Sequence, residues 1–289
     1  MKNLTGIILI SISAACFGTL AIFGQLLYTD GVDTFTMLFL RFGLAAVIMA
    51  VIIVARKESL PRGRVLGQLI GMGAVGYVGQ SFAYLTAIQY ASAGLVALLL
   101  YLYPTFVVIL SAIFLREKAT RAKIVALILA LVGTALTVGP SGGKLIGILL
   151  AISAALIYSI YIIVGAGVMK QVSTIQSALV IFASAGAVYG TLALSKGLHL
   201  PASADGWWAV AGIVLIATVI PVSTFLAGLE RIGPSNAAML SVLEPAVTVM
   251  LTAWLFSETL QPVVLFGGAL ILISGIVLAR SEIYSHSSL

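Results

Sequence analysis

Two charged side chains, Arg41 and Glu244, lie inside long apolar stretches of this sequence. A charge within hydrocarbon is costly, so such residues usually pair with each other, line a path or bind a solute. Glu244 can bind the amine of a solute, carry a proton across the membrane, or bond backbone groups that are loosened by Pro245. Arg41 is either a gating charge or a structural cation that bonds helix ends or extends towards the membrane surface. The sequence leaves these alternatives open.

Polar and aromatic side chains recur at helical spacing in the same stretches. The residues that we predict to line a substrate cavity are Tyr77, Gln80, Ser81, Tyr84, Tyr101, Tyr158, Tyr161, Asn236 and Glu244. The first four share one helix face, and the last two belong to one i, i+4 stripe. Tyrosines on such faces either pack between helices or bind a solute. We assign the second role to the deeper rings, and place Tyr28, Tyr90 and Tyr189 in an interfacial belt or at loop edges.

Pro104 and Pro245 each fall near the middle of an apolar stretch. A proline within a helix removes one backbone hydrogen bond and kinks the helix. We predict that both prolines are hinges for gating, with a fixed kink that serves packing as the alternative.

The same two prolines mark an internal duplication. They lie 141 residues apart (245 − 104), as do Glu117 and Glu258, and the offset also places Gly6 on Gly147. Apolar composition alone does not produce matched proline and glutamate positions at one spacing. We therefore predict two units, residues 1–140 and 141–289, a duplication that is typical of secondary transporters.

The composition indicates a membrane protein. Hydrophobic residues make up 61% of the 289 residues and charged residues only 8%, whereas charge in soluble domains is near a quarter. Ten apolar stretches have about the length that spans hydrocarbon: 4–27, 34–55, 65–88, 92–115, 124–138, 145–168, 175–194, 207–229, 235–256 and 263–279. The predicted fold is therefore an all-α integral membrane protein with ten transmembrane helices.

The basic residues predict the orientation. Of the 15 Lys and Arg residues, twelve fall on the side of the N-terminus, Lys144 and Lys196 fall on the other, and Arg41 is within a span. By the positive-inside rule, both termini are cytoplasmic. Five spans are an odd number, so the second unit is inverted relative to the first, an arrangement that suits alternating access.

In its motifs the chain resembles ten-span members of the drug/metabolite transporter superfamily of the EamA type. The motifs are Tyr101-Leu102-Tyr103-Pro104 with Phe114-Leu115-Arg116-Glu117, Leu243-Glu244-Pro245 with Leu255-Phe256-Ser257-Glu258, Arg41-Phe42, and the stretch from Gly267 to Gly275. This resemblance implies export or exchange of small metabolites, often amino acids, across a bacterial inner membrane. It does not fix the substrate.

Other functional classes find little support in the sequence. An intramembrane enzyme would need a motif such as HExxH or a pair of aspartates within the spans, and neither occurs; the GxSxG pattern at 139–143 lies between two apolar stretches and is not a nucleophile elbow. The segment 139–144 lacks the spacing of a phosphate-binding loop. Cys16 is the single cysteine, so an internal disulfide and a cysteine cluster for metal are excluded. We expect no metal site and no cofactor. Nucleic acid is not an expected partner, because the basic residues are topology signals. A channel is the remaining alternative.

Within transport, the path holds too few cations for phosphorylated solutes. Small metabolites are predicted as the substrates, and amino acids, aromatic or otherwise apolar, are the first choice among them. Proton-coupled efflux of lipophilic cationic drugs is the alternative, because a carboxylate among aromatic rings also binds cations. The expected partners are the solute, the lipid bilayer and, if transport is coupled, a proton; the expected assembly is a monomer or a weak dimer.

Overall fold

The computed structural model describes residues 2–88, 90–91, 96, 99–117, 120–138, 144–256 and 262–285. Helices account for most of these residues, and none of them forms a β-strand, so the predicted all-α class is confirmed. The predicted boundary between residues 140 and 141 lies outside the described residues, as does Glu258.

Several of the described helical runs are interrupted by turns or by wider π-helical segments. The first half of the chain contains α1 (Lys2–Phe17), α2 (Leu20–Thr29), α3 (Thr34–Arg56), α4 (Gly63–Gly71), α5 (Val78–Ile88), α6 (Tyr103–Leu110) and α7 (Arg121–Val138). The second half contains α8 (Leu145–Val168), α9 (Thr174–Lys196), α10 (Ala204–Val214), α11 (Ile220–Leu240), α12 (Leu243–Phe256) and α13 (Pro262–Ser285). The π-helical segments are Met72–Tyr77, Ser111–Leu115 and Leu215–Val219.

Five helical runs in the described part of the chain are long and apolar enough to cross a membrane. They are Asn3–Thr29, Thr34–Arg56, Leu145–Val168, Thr174–Lys196 and Ala204–Leu240. Tyr103–Leu115 and Pro262–Val277 are apolar but shorter. The last long run comprises α10, the π-helical segment Leu215–Val219 and α11, and α11 is itself kinked at Gly233 (φ 78°, ψ 168°). The count of ten spans stays a prediction.

The helices pack in pairs that repeat between the two halves of the chain. Helix α3 packs along α9, α7 along α13, α1 along α11, and α5 along α8. One contact is made twice at the 141-residue offset. A Cβ atom at Gly6 would lie against Ile232, and one at Gly147 would lie 2.9 Å from the Cβ atom of Ala91. The duplication found in the sequence is thus also a duplication of helix packing, and glycine allows the close approach in both units.

Polar contacts tie α3 and α9 together at both ends. At the start of α3, Asp33 accepts hydrogen bonds from the backbone N–H groups of Phe35 (2.8 Å) and Thr36 (3.2 Å), which is an N-cap. Its carboxylate also lies 3.2 Å from Nδ1 of His199, just beyond α9. At the opposite end, the hydroxyl of Ser173 donates to Glu58 (2.7 Å).

Burial and these hydrogen bonds shift the pKa of the Asp33 carboxyl in opposite directions. Partial burial raises the pKa of Asp33, but hydrogen bonds from Thr36 and Phe35 outweigh burial and leave the pKa below its ordinary value. The charged form of Asp33 is therefore the one that stabilises the start of α3.

Candidate functional site

Glu244 lies in the first turn of α12, directly after a turn at Ser241 and Val242 that separates α11 from α12. The start of a helix favours a negative charge because its N–H groups are unpaired. The side chain is only half-buried, and among the described residues no group donates a hydrogen bond to its carboxylate. Groups that interact with it electrostatically are Arg41, Tyr77, Tyr84, Tyr101, Tyr103 and Tyr158. This arrangement leaves a carboxylate free to bind a cation or a proton.

Arg41 is held by the protein itself. Its side chain is 6% exposed, so it does not extend to the membrane surface, and that alternative is wrong. Nε donates to the hydroxyl of Thr218 (2.7 Å), and Nη2 donates to the carbonyl of Ala217 (3.3 Å). Both partners belong to the π-helical segment Leu215–Val219. Arg41 therefore bonds helix backbone, as the structural alternative proposed, although at a widened turn within the helical run rather than at its end.

Tyrosine rings connect the surroundings of Arg41 with those of Glu244. The ring centroids of Tyr77 and Tyr161 lie 5.5 Å apart, those of Tyr158 and Tyr161 5.9 Å, and those of Tyr103 and Tyr158 4.9 Å. On the side of Arg41, Tyr77 packs edge-on against Phe42 at 5.1 Å. Such ring pairs stabilise beyond their buried area. Three of the predicted tyrosines are thus brought together in one contiguous cluster.

Tyr103 is a member of this cluster that sequence reasoning missed. It is 3% exposed and donates a hydrogen bond to the carbonyl of Ala238 (3.3 Å). The duplication contained a signal for it, since Tyr103 precedes Pro104 as Glu244 precedes Pro245. The two units therefore place a phenol and a carboxylate at equivalent positions.

The other predicted residues of α5 and the segment before α6 lie close by. Tyr84 and Tyr101 are half-buried, and both interact electrostatically with Glu244. Gln80 and Ser81 are also half-buried and are hydrogen-bonded to each other (3.2 Å). They are accessible polar groups on the helix that carries Tyr84.

Asn236 does not share a helix face with Glu244, so this part of the prediction is wrong. The turn at Ser241 and Val242 separates their helices, and the i, i+4 pattern does not continue through it. Asn236 is buried, its Nδ2 donates to the carbonyl of Ile232 (2.8 Å), and its Oδ1 has no partner among the described residues. Its contacts are those of a packing residue.

The two prolines begin helices rather than interrupting them. Pro104 is in the first turn of α6 and Pro245 in the first turn of α12, each after a turn of the chain. At a helix start the missing N–H group has no intrahelical partner to lose, so proline fits there without kinking a helix. The sequence predicted a kink within one helix at each proline, whereas in the structure one helix ends and another begins there. A third break, at Gly18 and Thr19 between α1 and α2, contains no proline.

The tyrosines assigned to the interface divide into two groups. Tyr28 is 50% exposed and Tyr90 is 40% exposed, as expected of rings at a protein surface. Tyr189 is 2% exposed and stacks on Phe42 with centroids 5.9 Å apart, so its assignment to a belt is wrong. Tyr189 lies within α9, which packs on α3, and this pairing of distant segments buries it.

Comparisons with known proteins point to membrane transport. The chain matches the EamA-like transporter family at residues 4–139 and again at residues 145–280. It is 29% identical over 276 residues to a protein from Archaeoglobus fulgidus named an uncharacterized transporter, covering 94% of this chain and 95% of that protein. It is 25% identical over 288 residues to the uncharacterized transporter YcbK of Bacillus subtilis, covering 93% and 92% of the two chains. A crystal structure with 22% sequence identity superposes with a TM-score of 0.81 and covers 97% of this chain and 98% of that chain, so the two share a fold.

Proposed function

Because the chain belongs to the EamA-like transporter family, we propose that it exports or exchanges small amine-bearing metabolites, amino acids first, by alternating access. It is a multi-pass membrane protein of a transporter family, and the relatives it matches are named as transporters. The observation that carries the substrate proposal is the Glu244 carboxylate, which is half-buried beside a tyrosine cluster and receives no hydrogen bond from the described residues.

The proposed membrane arrangement is ten spans in two inverted repeats of five, with residues 1–140 and 141–289 as the units. The packing contacts that recur at the 141-residue offset support a repeat, and an inverted repeat supplies two related gates. The excess of Lys and Arg on one side supports cytoplasmic termini in the inner membrane.

Glu244 is the group that we assign to the substrate amine. An ammonium group gains from a nearby carboxylate and from aromatic faces, and both lie beside the same helix start. A carboxyl in apolar surroundings also takes up a proton readily. Glu244 therefore either binds the amine or exchanges a proton for it, and the breaks before Pro104 and Pro245 are the proposed hinges.

The hydrogen bonds that Arg41 already makes favour a second candidate function, which is efflux of lipophilic monocations. Recognition of an amino acid needs a partner for its carboxylate, and Arg41 is the cation in the path. Two of its nitrogens already donate to Thr218 and Ala217. A substrate with an amine and no carboxylate needs no such partner.

A thermal-shift experiment separates the two candidates. Purified protein is heated with L-phenylalanine, with phenethylammonium or with phenylpropionate, which carry the same ring as a zwitterion, a cation and an anion. Amino-acid transport predicts that L-phenylalanine raises Tm, whereas cation efflux predicts that phenethylammonium alone does so. A shift with phenylpropionate alone would contradict both. Saturable counterflow of the active compound in liposomes distinguishes a carrier from a channel.

A further inference from the structure

Glu117 joins the two halves of the chain at one end of the bundle. The hydroxyl of Ser235 donates a hydrogen bond to its carboxylate (2.6 Å), and the ammonium of Lys123 lies 3.5 Å from the same oxygen. Glu117 follows the π-helical segment after α6, whereas Ser235 belongs to α11. A hydrogen bond to an ionised group is stronger than one between neutral groups. This contact therefore holds α11 against the end of α6.

The backbone opposite Glu117 is shaped for this contact. Gly233 has a positive φ of 78°, a conformation that favours glycine, and Pro234 follows it. A Cβ atom at Gly233 would lie 3.1 Å from Glu117 Oε1, so the carboxylate sits directly against the kink. The kink turns the chain so that the Ser235 side chain reaches Glu117.

Two other polar contacts between the halves hold one pair of helices together at both of its ends. Asp33 and His199 tie one end of α3 to α9, and Glu58 and Ser173 tie the other end at the same time. Because both contacts are present in the same conformation, α3 and α9 are held together at both ends. Neither contact therefore distinguishes one side of the bundle from the other. The Glu117 contact joins different helices, and it involves a kink and a widened helical turn, both of which are places where a helix can bend.

We propose that Glu117 is a gate residue, which holds the path closed at the end of the bundle where α1 begins. When the path opens to that side, Ser235 leaves the carboxylate and Lys123 remains as its charge partner. Because a gate requires a transport path, this inference rests on the proposed function. Its test needs no substrate.

The test measures access to the centre of the bundle from that side. Cys16 is replaced by alanine, and Ser241→Cys, at the buried turn between α11 and α12, serves as the reporter. Its reaction with a membrane-impermeant maleimide is followed in vesicles of both orientations. Glu117→Ala and Ser235→Ala should each raise the labelling rate from the gated side roughly tenfold, the effect of losing one hydrogen bond to a charged group. Glu117→Gln, which keeps the shape of the side chain, should raise it less.

Glu230→Gln is the matched control, because Glu230 is exposed and its ion pair is with the adjacent Arg231 (3.8 Å). It should leave the labelling rate unchanged. The double variant Glu117→Ala/Ser235→Ala should label no faster than either single variant, since both remove the same contact. Unchanged rates in the two single variants, or an equal rise with Glu230→Gln, would overturn the gate. Failure of every thermal-shift probe would instead contradict the proposed substrate and leave the gate standing.

Discussion

The close approach of α9 to the π-helical segment Met72–Tyr77 makes Gly73 sensitive to the addition of one methyl group. A Cβ atom there would overlap the hydroxyl of Ser184 and the backbone oxygen of Ile181, and would lie 3.1 Å from the carbonyl carbon of Ile181. The serine can rotate, but the helix backbone cannot. Gly73→Ala must therefore displace α9, and overpacking of this kind costs about 1–3 kcal/mol.

Gly71 gives a matched control two residues earlier, because a Cβ atom there would have no neighbour within 4 Å. Alanine at that position should gain about 0.5–1 kcal/mol from reduced backbone freedom. Since 1 kcal/mol moves Tm by about 2–4 °C in domains somewhat smaller than this chain, the melting temperatures of Gly73→Ala and Gly71→Ala should differ by about 3 °C or more in detergent. Equal melting temperatures would refute the packing of α9 on this segment.

Three further predictions follow from other parts of the molecule. A reporter that is active only outside the cytoplasm should be active when fused after Ser203 and silent after Glu58; activity after Glu58 would reverse the proposed orientation. Tyr101→Ala should weaken transport by about 1–3 kcal/mol, and Tyr28→Ala should not; equal losses at equal expression would reduce Tyr101 to a packing element. Asp33→Ala should lower stability at pH 7 by about 1 kcal/mol through loss of the N-cap. Because the folded pKa of Asp33 is lowered, its contribution is present above the unfolded pKa of about 3.9 and is lost as pH falls through the folded pKa. A melting-temperature difference from the native chain that stays constant down to pH 3 would contradict this account.

The sequence predicted the features that depend on composition and on spacing along one helix. The helical class follows from apolar composition and length, and the duplication follows from the shared 141-residue spacing. Tyr77 was predicted to line a cavity because it shares a helix face with other polar residues at spacings of three and four, and Tyr158 and Tyr161 were predicted from a different apolar stretch. The structure brings these three together.

The features that the sequence did not predict depend on contacts between distant segments. The partner of Arg41 is Thr218, 177 residues away, and a π-helical segment leaves no clear pattern in a single sequence. The stripe from Asn236 to Glu244 assumed an unbroken helix, although the chain turns between them. Tyr103 could have been found by applying the duplication to Glu244, since the repeat assigns it the equivalent place.

The most direct test of the central claim is the pH dependence of counterflow by Glu244→Gln. The protein is reconstituted in liposomes, and uptake of labelled L-phenylalanine and of labelled phenethylamine is measured between pH 5.5 and pH 8.5, with Glu230→Gln as the control. Glutamine keeps the size of the side chain but cannot carry a charge or a proton. For Glu244→Gln we expect a loss of counterflow of about tenfold or more and a flat pH profile, with normal yield and a normal melting temperature. Counterflow at the native rate with the native pH profile would contradict it and would leave Glu244 with a structural role.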